Sequence, residues 1–183
     1  MMTKFYSGFL TFILVAIMGL IGGPDVRPSK SNKVIHQKQQ IVDHDTLWQP
    51  FDTALSKAKT DHKMVLVDFY ADWCTYCKKM DRNVYPKKEV REALNKYFHP
   101  VRINTESNQK ITFDGKTYTK KSLSNAFGIK KLPTIIFINS NGKPIAQQPG
   151  YMPPDIFTKL LDFVGSGAYK NTSFNKYKVN KTS

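Results

Sequence analysis

The chain has 183 residues and a formal net charge of +14, with 28 Lys and Arg against 14 Asp and Glu. That length gives room for one domain with a proper core plus appendages. The excess of base raises nucleic acid, an anionic membrane surface or acidic proteins as partners, but the lysines are spread along the chain. No basic helix or aromatic-basic repeat is present, which argues against a nucleic-acid reader and for a solvated basic surface.

Lys4 is followed by an apolar run, Phe5 to Ile21 (FYSGFLTFILVAIMGLI), and then by Gly22-Gly23-Pro24. The run is long for the core of a signal peptide and short for a membrane span. Residues 1–23 therefore read as a cleaved signal peptide or as a retained N-terminal membrane anchor. A buried core helix is the third option, and it would need a packing partner that the polar stretch behind it does not offer. No Ala-x-Ala cleavage site is visible, and no cysteine follows the run to take a lipid. Arg27, Lys30, Lys33 and Lys38 outnumber Lys4, the reverse of a positive-inside pattern. Export to a bacterial periplasm, soluble or anchored to the inner membrane, is nevertheless the expectation. Residues 24–45 are polar, basic and without period, and read as a linker.

The folded domain is expected over residues 46–165. Leu47, Trp48, Phe51, Ala54, Leu55 and Ala58 recur at helical intervals and predict a first amphipathic helix ending before His62. Val65 to Tyr70 is β-branched and aromatic enough for a buried strand, and Thr75 onward has helix formers with no breaker until Pro86. Between them sit Cys74 and Cys77, the chain's only cysteines. Three apart, they share a helix face, with Cys74 at the exposed N-terminal end. There the unpaired backbone N–H groups and the helix dipole stabilise a thiolate, the nucleophilic form. A strand running into C-x-x-C at a helix start is a redox site in its expected context. Half of a zinc site is a second reading, although His36, His44, His62 and His99 are scattered singly. A purely structural disulfide is a third.

Further along, Lys87 to Tyr97 continues as helix and His99 to Asn104 as a short strand. In Lys110 to Thr119 the pair Asp114-Gly115 signals a hairpin. A short helix from Lys120 to Phe127 stops at Gly128, which suits a left-handed cap. Leu132-Pro133 introduces an apolar strand from Thr134 to Asn139, turned at Asn141-Gly142 into an antiparallel partner, Lys143 to Gln148. Pro153-Pro154-Asp155 opens the last helix. Residues 166–183 carry Lys170, Lys176, Lys178 and Lys181 with no acid, and read as a mobile basic tail or as a docking arm for an acidic partner. The order builds an α/β domain: a parallel βαβ unit joined to an antiparallel ββα unit, with helices on both faces of one central mixed sheet.

Four stretches together, YADWCTYCKKMD, PVRIN, GIKKLPTIIFINSNGKPI and PGYMPPDIFTKLLDFV, resemble thioredoxin-fold thiol:disulfide oxidoreductases. The likeness is to the C-terminal periplasmic domain of the DsbD interchange proteins and to SoxW-like secreted relatives. The resemblance implies a thioredoxin fold with a β-hairpin insertion before the cis-Pro strand. It makes Cys74 the attacking thiol and Cys77 the resolving one, their redox-active disulfide serving in place of any cofactor or metal. It puts Pro133 after a cis bond from Leu132, against the disulfide, so that Leu132, Pro133 and Thr134 meet an extended substrate. An ordinary trans proline at the start of a strand is what the residues alone leave open. Asp68, costly in an apolar strand unless neutral or paired, becomes the acid beneath the disulfide that takes the proton of Cys77 through water. Trp73 is implied to cover the site, Thr75 and Tyr76 to tune the potential, and Arg102 to stand near the buried acid. Lys78 and Lys79 favour the thiolate or are simply exposed helix charges.

The function implied is reduction of disulfides in secreted proteins, cytochrome c maturation factors among them, by a monomer supplied with electrons by a DsbD- or CcdA-like membrane protein. Thr75-Tyr76 matches neither the Gly-Pro of thioredoxin nor the Pro-His of strong oxidants. A disulfide oxidant or isomerase, and a non-catalytic metal chaperone or assembly factor, are the alternatives.

Overall fold

The structure, a computed structural model, describes residues 47–180. The expected signal or anchor and the linker lie outside those residues. Helix α1 (Phe51–Asp61) leads into strand β1 (Met64–Tyr70), followed by α2 (Thr75–Asn83), α3 (Lys88–Tyr97) and β2 (Phe98–Asn104). A hairpin, β3 (Lys110–Phe113) and β4 (Lys116–Thr119), precedes α4 (Lys120–Ala126). Then come β5 (Thr134–Ile138), β6 (Pro144–Pro149), α5 (Pro154–Gly165) and α6 (Phe174–Asn180). The main sheet has the order β2-β1-β5-β6, with β1 parallel to β2 and antiparallel to β5, and β5 antiparallel to β6. The hairpin forms a separate two-stranded sheet, so the expected insertion is present.

Alternation along the central strand sorts its side chains onto two faces. Leu66, with Ile135 and Phe137 of β5, packs under α2, α3 and α5 against Met80, Tyr85, Leu94 and Phe157. Val65, Val67 and Phe69 face the other way, with Ala54 and Ala58 of α1, Ile111 of the hairpin and Leu123 of α4. β1 is thus buried on both sides, as a near-continuous apolar run requires. The Asp114-Gly115 turn has φ of 51° and 72°, the left-handed pair that a tight hairpin needs.

Two expectations change. The periodicity of Leu47 and Trp48 suggests helix, but α1 begins only after Pro50, whose φ of −58° suits a helix entrance. Gln49 instead forms a parallel bridge to Val101, donating its N–H to the Pro100 carbonyl at 2.9 Å, and Trp48 packs edge-on to Tyr85. The C-terminal segment, read as a mobile tail, folds back. Ala168–Lys170 is a 3-10 turn, and Phe174 and Tyr177 of α6 set their rings 5.4 and 5.2 Å from that of Phe163. Two aromatics three apart give one helix face, and that apolar face outweighs the surrounding lysines. At the end of α5, Gly165 lies so close to Tyr97 of α3 that a Cβ there would overlap the ring. No helix of the described residues is long and apolar enough to cross a membrane.

Candidate active site

The C-terminal end of β1 hands the chain through Ala71-Asp72-Trp73 to Cys74, the N-cap of α2. Cys74 and Cys77 form a disulfide with their Cα atoms 5.3 Å apart. The Cys77 N–H donates to Cys74 Sγ at 3.1 Å. When the bond is reduced, that same N–H faces the developing Cys74 thiolate at the positive end of the helix, where a negative sulfur is favoured. Contrary to the expected exposed position, Cys74 is only 4% and Cys77 1% exposed, because Tyr70 and Leu132 pack against them with Ala71.

The Leu132–Pro133 peptide is cis, and the trans alternative is gone. It brings Leu132 onto the disulfide, while the Pro133 carbonyl accepts the Gly150 N–H at 2.7 Å. Thr134 is fully buried and its hydroxyl donates to the Lys131 carbonyl at 2.6 Å, so its side chain shapes the loop and is not offered to a substrate. Trp73 and Tyr76 are 66% and 58% exposed, the exposed large apolar residues among those described. Trp73 projects outward and donates Nε1–H to Glu106 Oε1 at 2.9 Å. Thr75 is exposed as the first residue of α2.

Asp68 is wholly buried. It shares the β1 face of Leu66 and Tyr70, the face beneath α2. Arg102 of β2, its register partner, places Nε 3.3 Å from Asp68 Oδ2 and Nη2 2.8 Å from Asp81 Oδ1, one helical turn after Cys77. The guanidinium also lies over the rings of Tyr70, 4.1 Å from its centroid, and Trp48, 5.2 Å. One cation therefore ties the buried strand acid to the cysteine helix. Burial pushes the Asp68 carboxyl up to about 6, against the Arg102 charge, which pulls it down. Burial and the Asp68 charge together hold the Tyr85 phenol well above its ordinary range, so it stays protonated. Its hydroxyl acts on Asp68 although it lies outside ordinary hydrogen-bond geometry. A carboxyl that titrates near neutrality is suited to accept and return a proton during thiol chemistry. Asp81 and Tyr85 escape sequence reasoning; the one available signal was the i, i+4 spacing of Cys77 and Asp81, too common on helices to single out.

A redox pair capping a helix, a cis-proline loop on its sulfurs and a titratable buried acid define a thiol-disulfide exchange domain. Residues 51–165 match the family model of the thioredoxin-like domain. The chain belongs to that thioredoxin-like family, and with its C-x-x-C pair it is a thioredoxin-like oxidoreductase. It is 29% identical over 158 residues, 81% of its length, to the thiol:disulfide interchange protein DsbD of Vibrio cholerae, of which it covers 24%. It is 23% identical to the disulfide bond reductase DsbH of Chlamydia pneumoniae, covering 69% of this chain and 76% of that protein. A thioredoxin-fold protein from Helicobacter pylori superimposes with a TM-score of 0.60 at 25% identity, over 67% of this chain and 86% of that one. The chain thus spans about a quarter or less of the DsbD relatives it matches.

Proposed function

We propose that the protein works outside the cytoplasm as a net reductant of protein disulfides. The reduced Cys74 thiolate attacks one sulfur of a client disulfide, forming a mixed disulfide and expelling the other client sulfur as a thiolate. The Cys77 thiolate then attacks Cys74 Sγ, which regenerates the Cys74–Cys77 disulfide and releases the second client sulfur. Two electrons pass to the client, and the two protons of the dithiol end on its thiols. Asp68, charged above about pH 6, accepts the Cys77 proton in the second step. A DsbD- or CcdA-like membrane protein resupplies the electrons. Pro133, Leu132, Trp73 and Tyr76 form the surface against which the client lies.

The observation that carries this reading is the Cys74–Cys77 disulfide at a helix N-cap, with Leu132 of the cis loop packed on it. The name of the DsbH relative, a disulfide bond reductase, favours the reducing direction, and the apolar run of residues 5–21 favours export. Two measurements test it. Purified protein with dithiothreitol should speed insulin reduction, and Cys77→Ala should accumulate a covalent adduct on Cys74 visible by mass. Equilibration with glutathione should give a potential in the reducing range of thioredoxins, near about −270 mV. A potential near about −120 mV would make it an oxidant instead.

A further inference from the structure

We propose, building on that oxidoreductase reading, that the face around the disulfide docks an acidic protein segment: the client that fits it carries Asp or Glu beside its cysteines. The face has an apolar collar. Trp73 and Tyr76 stand out on either side of Cys74, Tyr151 sets its ring 6.3 Å from that of Tyr76, and Leu132 covers the sulfurs. Exposed aromatics of this kind are the anchors of a protein contact.

Charge is divided unevenly around that collar. Lys78 and Lys79 are exposed on α2 directly after Cys77, with Lys79 Nζ 4.4 Å from the Tyr151 ring centroid. Lys130 and Lys131 are exposed at the approach to the cis bond. None of the four is in an ion pair with a carboxylate of the described residues. Of the acids nearby, Asp72 and Glu106 lie on the Trp73 side and already accept hydrogen bonds, from Asn104 Nδ2 at 3.2 Å and Trp73 Nε1 at 2.9 Å, while Asp81 of α2 is held by Arg102 Nη2 at 2.8 Å. The α2 and cis-proline side of the disulfide is therefore a cluster of uncompensated cations beside an apolar contact surface. Such a field raises the encounter rate with an oppositely charged partner and sets its orientation. Because the sulfurs lie at its centre, a disulfide-bearing protein is the occupant, in preference to a lipid surface.

The test uses the reduced full-length protein and two synthetic peptides, each closed by one disulfide and identical except for Asp or Lys beside the cysteines. Neutral 2-hydroxyethyl disulfide serves as the reference, and each peptide rate is divided by the same variant's rate with it. At low ionic strength the acidic peptide should be reduced about tenfold faster than the basic one, and the ratio should fall toward one in high salt. The double variant Lys130→Glu/Lys131→Glu should lose that preference. Lys116→Glu/Lys143→Glu should keep it, since it makes the same charge change next to the Asp114-Gly115 and Asn141-Gly142 turns, which line a cavity with Ser56 and Lys59 of α1 at the far end of β5. Equal peptide rates, a preference for the basic peptide or equal effects of the two double variants would overturn the docking proposal alone. So would a loss confined to binding of phosphatidylglycerol vesicles, which would mark a membrane surface. Failure to reduce even the neutral disulfide would instead overturn the oxidoreductase reading beneath it.

Discussion

The two faces of the central sheet treat buried polar groups in opposite ways. Under α1, α4 and the hairpin the buried polar residues are satisfied locally. Ser124 donates to the Lys120 carbonyl at 2.7 Å, and His99 pairs with Asp61 at 2.9 Å. Under α2, α3 and α5 lie Asp68, Tyr85, Trp48 and Arg102, with buried polar atoms that lack hydrogen bonds of good geometry. Their balance rests on charge and ring contacts around one guanidinium. Polar atoms left so are costly and persist where they serve a purpose. Here they sit on the face that carries the cysteine helix, whereas the opposite face is held by apolar packing around Val67, Phe69 and Ile136.

That contrast is most sharply broken by Arg102→Met. Removing the cation leaves two carboxylates on the redox face, one of them wholly buried, and should cost about 3–5 kcal/mol of stability at pH 7.5. The reduction potential should move as well. Urea unfolding at pH 7.5 and pH 5 checks it, with part of the loss recovered at pH 5 as Asp68 takes a proton. Ile136→Ala on the cohesive face should cost a comparable ~2–5 kcal/mol, through a cavity next to Val67. It should leave the glutathione-equilibrated potential unchanged; a shifted potential would show that the faces are not separate.

Asp68→Asn should act in the other direction. The carboxyl titrates near 3.8 when unfolded and at about 6 in the fold. Below 3.8 both states are protonated; between the two values only the fold holds the proton; above 6 the fold carries a buried charge. The wild type therefore loses stability as pH rises through that window, on the order of 1–3 kcal/mol. The variant should melt higher than wild type at pH 7.5 and converge with it toward pH 4, while releasing mixed disulfide more slowly. A variant less stable than wild type at pH 7.5 would mean that Asp68 contributes more to the Arg102 contact than its burial costs. The smallest effect belongs to Thr119→Ala. It opens the capping box with Ser122 at the start of α4, costing about 1 kcal/mol by thermal unfolding with no change in thiol chemistry.

The sequence by itself determined the elements whose signals are local. The apolar run of β1, the Asp114-Gly115 turn and the C-x-x-C pair at a helix start are legible because propensity, turn chemistry and cysteine spacing each act over a few residues. Likeness to thioredoxin-fold proteins supplied the cis bond at Pro133 and the burial of Asp68, which spacing leaves open. Only the tertiary structure decided what lies against what. Cys74 is covered because Leu132, 58 positions on, folds over it. Trp48 leaves α1 because Pro50 starts the helix and Tyr85 receives the ring. The last helix docks because Phe163 meets Phe174 and Tyr177. Arg102 joins Asp68 to Asp81 only once β2 lies beside β1 and α2 packs above them. A side chain's charge state and reach depend on neighbours far away along the chain, and no local pattern records which neighbours those are.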